Sequence, residues 1–307
     1  MSQKAFTYRL ITLLFLALAI VFGFNSFMDS RWVFASEHGL NSKRPAFDER
    51  SQKTNYLVSQ KPSFNNLILG SSRASYFPTK SLKGKWFNYA VSGMYPKEYL
   101  GYAQIAEQFA QYKKLDTIII GLDFWATCKC AIVEYEDPKE VYVKSKSWLK
   151  QATNLLSVDA IYESLRTIRV NNTKTENQPF FTLQNLQKNR TSNDDEFRKI
   201  NSKEQLWYYR NNVYGNAYQY DSNYLEPLRE LINSFPETHF ILYTSPVSPE
   251  LFNLQDELGR KNDRNKWLSQ LKTLDAELII TDQAKFRSDM FFDSHHLKPE
   301  FFEMILP

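Results

Sequence analysis

Two cysteines, Cys128 and Cys130, are all that 307 residues contain. That number rules out a disulfide framework and a four-cysteine zinc site. Histidine is also scarce, at four residues, and no spacing among them suits a metal. Neither a metal nor a cofactor is therefore expected. Glycine (9 residues) and proline (12) are too few for a low-complexity chain, so most of it should fold. A dense Lys/Arg block is missing too. The net charge of +4 is mild, and a nucleic-acid partner is not indicated.

What is present is apolar and aromatic. Hydrophobic residues make up 43% of the chain and aromatics 15%, enough for one large domain or two small ones. Residues 1–5 are polar and carry Lys4. From Leu10 to Phe24 the chain is apolar except for Thr12 and Gly23. A helix over residues 6–28 is about 34 Å long at 1.5 Å per residue, against a hydrocarbon layer of about 30 Å. Residues 1–28 are read as a membrane anchor. Lys4 and Arg9 precede the apolar run, which keeps the amino end cytoplasmic and the body extracytoplasmic. A cleaved signal peptide is the alternative, with Val33 to Ala35 as a small-residue site well past the apolar run. A buried core helix is the third option, opposed by a surface that is apolar all round.

Residues 29–62 are polar and read as a tether, in which His38 is simply solvated. The domain is expected over 63–307. Leu67, Ile68 and Leu69 form a buried strand that stops at Gly70-Ser71-Ser72, a glycine turn leading into a helix start. Residues 85–91 are a second strand, ending at Ser92-Gly93. Pro96 opens a helix to about Tyr112, since proline suits the first turn. Residues 116–123 are the clearest strand, an unalternating β-branched run of the kind covered on both faces. Residues 124–222 read as an insertion at the rim of the sheet. Within it, Trp148 to Arg169 has helical spacing (Leu149, Leu155, Leu156, Ile161, Leu165), and 171–205 is polar and loop-like. A helix over 224–235, a strand over 239–245, a helix over 262–274 and a strand over 277–282 complete the chain. Strands alternating with helices predict an α/β fold: three α/β/α layers around a mostly parallel sheet. In such sheets the reactive crevice lies beyond the carboxyl ends of the strands, where Ser71, Ser72, Gly93, Asp123 and Pro246 fall.

Beyond the last strand stands Asp293-Ser-His-His296. An Asp and a His three apart share one side of a helical turn. Asp293 can then hold one ring nitrogen of His296 and aim the other at a serine, as a weak hydroxyl nucleophile requires. His295, one step round, should point elsewhere. A solvated turn is the alternative for this motif, and an ordinary helix cap is the alternative for Gly-Ser-Ser.

Four blocks, in order, resemble those of the SGNH (GDSL-type) hydrolase family. Gly70-Ser71-Ser72 resembles the first, which places the nucleophile at Ser72, with Ser71 as the fallback. Asn88 to Gly93 resembles the second and assigns the Gly93 N–H to an oxyanion hole, with that of Ser72. Gly121-Leu-Asp123 stands where the third block usually reads Gly-x-Asn. Asp293-x-x-His296 resembles the last. The departure at Asp123 matters, because an asparagine amide donates to the oxyanion whereas an ionised carboxylate repels it. Either Asp123 points elsewhere or burial keeps it protonated.

The layout is most similar to the membrane-anchored branch of that family, with the D-alanyl transfer and alginate O-acetylation proteins. The resemblance implies an SGNH/flavodoxin-like fold and a serine esterase or O-acyltransferase acting on acyl esters of a cell-surface polysaccharide. It implies the bilayer as a partner through residues 6–28, and a membrane-bound acyltransferase as another. The alternative is a catalytically degenerate protein that binds glycan or scaffolds such an acyltransferase.

Three further features stay open. The insertion's aromatics (Trp207, Tyr208, Tyr209, Tyr214, Tyr218, Tyr220) either stack on sugar rings or pack the insertion down. Cys128 and Cys130 either pair or remain free thiols. Asn171-Asn-Thr173 and Asn189-Arg-Thr191 match the glycosylation sequon. A closing helix is expected after His296, and the chain reaches Pro307 without room for one.

Overall fold

The computed structural model describes residues 3–131, 133–173, 178–183, 186–190 and 195–306. Among the described residues there are eight strands: β1 (Arg44–Pro45), β2 (Asn66–Gly70), β3 (Trp86–Asn88), β4 (Thr117–Leu122), β5 (Pro179–Phe181), β6 (Lys188–Arg190), β7 (His239–Thr244) and β8 (Glu277–Ile279). The helices up to residue 109 are α1 (Gln3–Met28), α2 (Glu49–Gln60), α3 (Ser72–Ser75) and α4 (Pro96–Phe109). Those that follow are α5 (Pro138–Lys146), α6 (Trp148–Leu155), α7 (Val158–Asn172), α8 (Asp195–Tyr208), α9 (Glu226–Ser234), α10 (Pro249–Glu257) and α11 (Lys261–Leu271).

Five strands form one parallel sheet in the order β3-β2-β4-β7-β8. The second strand of the sheet lies on one side of the first and the third on the other. This is a doubly wound order, with its switch point between β2 and β4. In register, Gly70 faces Gly121, so both strands end at one level. The β-branched run of β4 is buried on both faces, as its unalternating pattern predicts.

The two faces are covered unequally. Ile118, Ile120 and Leu122 pack into a large core with residues of α4, α9, α10 and α11. Ile68, Ile119 and Tyr243 pack into a second core with Ala74, Phe291, Phe302 and Ile305. That second face is covered by the four-residue α3, loops and a 3-10 turn at Pro299–Met304, rather than by a full helical layer among the described residues.

Several expectations need correction. Residues 29–62 are packed, not a free tether. Arg44 is buried and bonds the carbonyl oxygen of Asp29 at 3.0 Å, and α2 buries Glu49, Arg50, Lys53 and Leu57. His38 is half-buried and stacks on Phe27 with ring centroids 4.2 Å apart. The helix expected over 148–169 breaks at Ser157, whose side chain caps α7 by accepting from the Ala160 N–H. The loop-like stretch 171–205 holds the β5–β6 hairpin, which pairs with β1 in a small antiparallel sheet, and the start of α8. Hydrophobic periodicity could not find β5 and β6, because each has only three residues. Cys128 and Cys130 form a disulfide. In the first sequon the Asn171 amide is engaged, donating to the carbonyl oxygens of Lys43 and Thr167. In the second, Thr191 lies outside the described residues.

Candidate active site

β2 ends at Gly70 with φ +136, in the region that favours glycine. A Cβ there would lie 2.8 Å from both Ala74 Cβ and the carbonyl oxygen of Gly121, so the tight turn needs glycine. The turn splits the roles of the two serines. Ser71 is buried, and its Oγ accepts from the Arg73 N–H at 3.2 Å, capping α3. Ser72 is half-buried, and its Oγ lies 2.9 Å from Nε2 of His296.

The histidine arrives on a loop, not on the helical turn expected. A bridge between Phe291 and Leu297 closes the loop, and the Phe292 N–H donates to the His296 carbonyl oxygen at 2.8 Å. The N–H of Ser248, the cap of α10, donates to the Ser294 carbonyl oxygen at 2.9 Å. Oδ1 of Asp293 accepts from the backbone N–H groups of His295 and His296, 3.0 Å each, in an Asx-type turn. That leaves Oδ2 for Nδ1 of His296 at 2.7 Å. The sequence spacing thus brings Asp293 and His296 together, but through a turn rather than a helix. His295 does not point away: its ring centroid is 4.0 Å from that of His296, and it lines the same cavity as Ser72.

One site residue carries no signal in the sequence. Arg190, at the end of β6, donates from Nη2 to Oδ2 of Asp293 at 2.6 Å and lies 3.4 Å from Nδ1 of His296. Its Nε donates to the Tyr76 hydroxyl at 3.2 Å. Burial pushes the Asp293 carboxyl up. The charges of His296 and His295, the hydrogen bond from His296 and the charge of Arg190 outweigh it and hold Asp293 well below the usual carboxylate range. His296 is pushed down by burial, pulled up by Asp293 and its hydrogen bond, and pushed down again by Arg190 and Lys188, for a net decrease. His295 is driven well down by burial and by His296. Both imidazoles are therefore biased toward the neutral form, in which His296 can accept a proton.

Gly93, the second oxyanion-hole candidate, lines one cavity with Ser72 and has φ +64. A Cβ on it would meet the Tyr135 hydroxyl at 2.6 Å. Its loop is held from α2. Glu49 accepts from the Ser92 N–H at 2.9 Å and the Ser92 hydroxyl at 2.7 Å, and it pairs with Lys188 of β6. Arg50 donates to the Ser92 carbonyl oxygen at 3.1 Å and pairs with Glu98. Lys53 is fully buried and donates to the carbonyl oxygens of Asn88 and Ala90 at 2.8 and 2.7 Å. Burial drives the Lys53 ammonium well down, against the pull of Glu49.

Asp123 has a charged partner. It is buried, and its Oδ1 accepts from Nη1 of Arg73 at 3.1 Å. Arg73 in turn donates to the Tyr209 hydroxyl at 3.1 Å. Asp123 is thus paired with the guanidinium of Arg73, the residue next to Ser72.

The cavity in front of Ser72 measures about 210 Å³ and is walled by Tyr95, Trp125, Tyr135, Tyr208 and Tyr209. The aromatics of residues 207–218 divide accordingly. Tyr209, Tyr214 and Tyr218 are buried beside Phe124, whereas Trp207 and Tyr208 are exposed. Asp293, His295 and His296 also bring donor atoms within 4.8 Å of one another, a grouping that spacing did not reveal. Arg190 already supplies a cation against Asp293 there, so the cluster does not fit a metal ion.

No protein-family model matches the chain, and no curated protein matches it. A solved structure from Streptococcus pneumonia, described as "a putative platelet activating factor", is similar at 13% identity and a TM-score of 0.38. The match covers 84% of this chain and 87% of that one. The site's chemistry therefore has to follow from its own geometry.

Proposed function

We propose that the chain is a serine esterase or O-acyltransferase of the SGNH (GDSL-type) kind, anchored by α1 and acting on short acyl esters of a cell-surface polysaccharide. One observation carries the chemistry: the hydrogen-bonded relay Asp293–His296–Ser72, with steps of 2.7 and 2.9 Å. A hydroxyl is a weak nucleophile until a base takes its proton, and the relay presents one.

In the proposed reaction Ser72 Oγ attacks the ester carbonyl as Nε2 of His296 takes the hydroxyl proton. Asp293 fixes the tautomer and stabilises the imidazolium. The oxyanion forms against the backbone N–H groups of Ser72 and Gly93. Collapse breaks the ester C–O bond, and His296 returns the proton to the departing alcohol. Water or a sugar hydroxyl then attacks the acyl-serine, giving its proton to His296, and the bond from the acyl carbon to Ser72 Oγ breaks as His296 returns that proton to the serine. The pairing of Asp123 with Arg73 supports this reading, because a balanced carboxylate does not oppose the oxyanion. The cavity volume suits a short acyl chain. The apolar, exposed α1 supports attachment to a membrane, where a membrane-bound acyltransferase partner would also reside.

The test is labelling by a fluorophosphonate probe together with turnover of 4-nitrophenyl acetate. The folded wild type should label at Ser72, and Ser72→Ala should lose both signals. Turnover that survives in pure Ser72→Ala protein refutes the assignment. A folded wild type that does not label favours a non-catalytic, glycan-binding role.

A further inference from the structure

Helix α7 is built inside out, and α6 leaves part of its apolar surface exposed. A surface helix of a globular protein turns its apolar stripe to the core. On α7 the residues that face the protein are small or polar: Ala160, Ser164 and Thr167 are buried, with Val170. The apolar stripe faces solvent instead, with Val158 80%, Tyr162 65% and Leu165 55% exposed. These positions have the i, i+4, i+7 spacing of one helix face. Trp148 at the start of α6 is 79% exposed, and Leu149 and Leu156 beside the elbow are exposed as well.

The patch continues the surface of α1. That helix is apolar and exposed along nearly its whole length and first becomes buried at Asn25 and Met28. Asn25 is the residue that meets the elbow. Its Nδ2 donates to the Leu155 carbonyl oxygen at 2.7 Å, and its Oδ1 accepts from the Ser164 hydroxyl at 2.9 Å. Arg31, just beyond α1, pairs with Glu163 of α7. Wherever the exposed apolar surface of α1 ends, the apolar patch of α6 and α7 begins. Across α6 and α7, residues 148–172 hold three basic side chains, Lys150, Arg166 and Arg169, against two acidic ones, of which Glu163 pairs with Arg31. Basic residues beside exposed Trp and Tyr are the composition of a segment lying at a bilayer surface with anionic lipid.

We infer that α6 and α7 form a platform that lies in the headgroup region of the bilayer, docking the domain against the membrane that α1 crosses. The occupant of the patch is lipid, and the inference rests on the anchoring role proposed for α1. It adds a second membrane contact beside α1, whose end is fixed to the domain through Asn25.

The test uses the full chain in phosphatidylcholine/phosphatidylglycerol vesicles, with nitroxide labels read for oxygen and nickel-chelate accessibility. Val158→Cys and Leu149→Cys report the platform. Phe15→Cys reports α1, and Lys261→Cys, exposed on α11, is the aqueous reference. All four positions are exposed, so the changes should leave the fold intact, and the native cysteines are paired. Labels at 149 and 158 should show an oxygen-to-nickel accessibility ratio several-fold above that at 261 and below that at 15, a depth of about 5–10 Å. A deep label at 15 with aqueous values at 149 and 158 overturns the platform alone. Labels at 149 and 158 shielded from both reagents place protein on the patch and overturn it too. An aqueous label at 15 removes the anchor, and the platform with it.

Discussion

Replacing Arg190 by glutamine removes a buried positive charge from the edge of the relay while leaving Ser72, His296 and Asp293 in place. The guanidinium sits 2.6 Å from Asp293 and 3.4 Å from the near ring nitrogen of His296. Two unit charges about 4 Å apart at an effective dielectric of 20 interact by about 4 kcal/mol. Water entering the vacated space and the surviving Asp293 carboxylate offset most of that. A net change of ~1.4 kcal/mol is expected, or one pKa unit. The sign follows from the charges. Arg190 disfavours the imidazolium, so its loss raises the pKa of His296, and more of the base is protonated at a given acidic pH. The other charged groups acting on the ring, Asp293 and Lys188, are unchanged. The acid limb of the kcat/KM profile on 4-nitrophenyl acetate should therefore move up by about one pH unit. Arg190→Lys, which keeps the charge, should recover much of the shift. A limb that stays in place in Arg190→Gln, with the plateau intact, refutes the idea that Arg190 sets the basicity of His296.

Other outcomes follow from the same geometry. Asp293→Asn should lower kcat by about 10⁴-fold with little change in KM, because His296 is then held in the wrong tautomer. Steady-state kinetics on the purified variant checks this, and a loss below tenfold contradicts the assigned role. Gly93→Ala should cost about 10²–10³ in kcat, since its Cβ must displace Tyr135 and with it the N–H offered to the oxyanion. Glu49→Gln should lower stability by about 3 kcal/mol, because it leaves Lys188 buried without its partner. Denaturant unfolding in detergent measures that change. His295 has a folded pKa well below its ordinary 6.5, so its neutral form stabilises the fold above that value. This contribution should decline as the pH falls from about 6.5 through the folded pKa, and His295→Gln should flatten the decline.

The elements legible in the sequence are those whose signal is local. The unalternating run of β4, the apolar stretch of α1 and the glycine turn after β2 depend on neighbours within a few residues. Asp293 and His296 are close for the same reason, although an Asx-type turn rather than a helix joins them. The sheet's strand ends could also be placed, since alternation of strands and helices fixes which end of each strand shares a rim. What pairs across long separations could not be read. Arg190 reaches Asp293 from a hairpin too short for periodicity to register, and Glu49 holds Ser92 from a stretch whose polarity looks like a tether. Asp123 poses a question in the sequence that only its contact with Arg73 answers.

The spacing of apolar residues on α7 determined that it would be a helix with one greasy face. The fold decided which way that face turns, because the packed side of α7 is filled by small and polar residues that meet α1. Sequence by itself fixes how strongly a segment prefers to be a helix or a strand, since those preferences arise within a turn or a pleat. Tertiary structure alone decides which buried charges find partners, because an ion pair or a relay forms only after distant segments have been brought within about 3 Å.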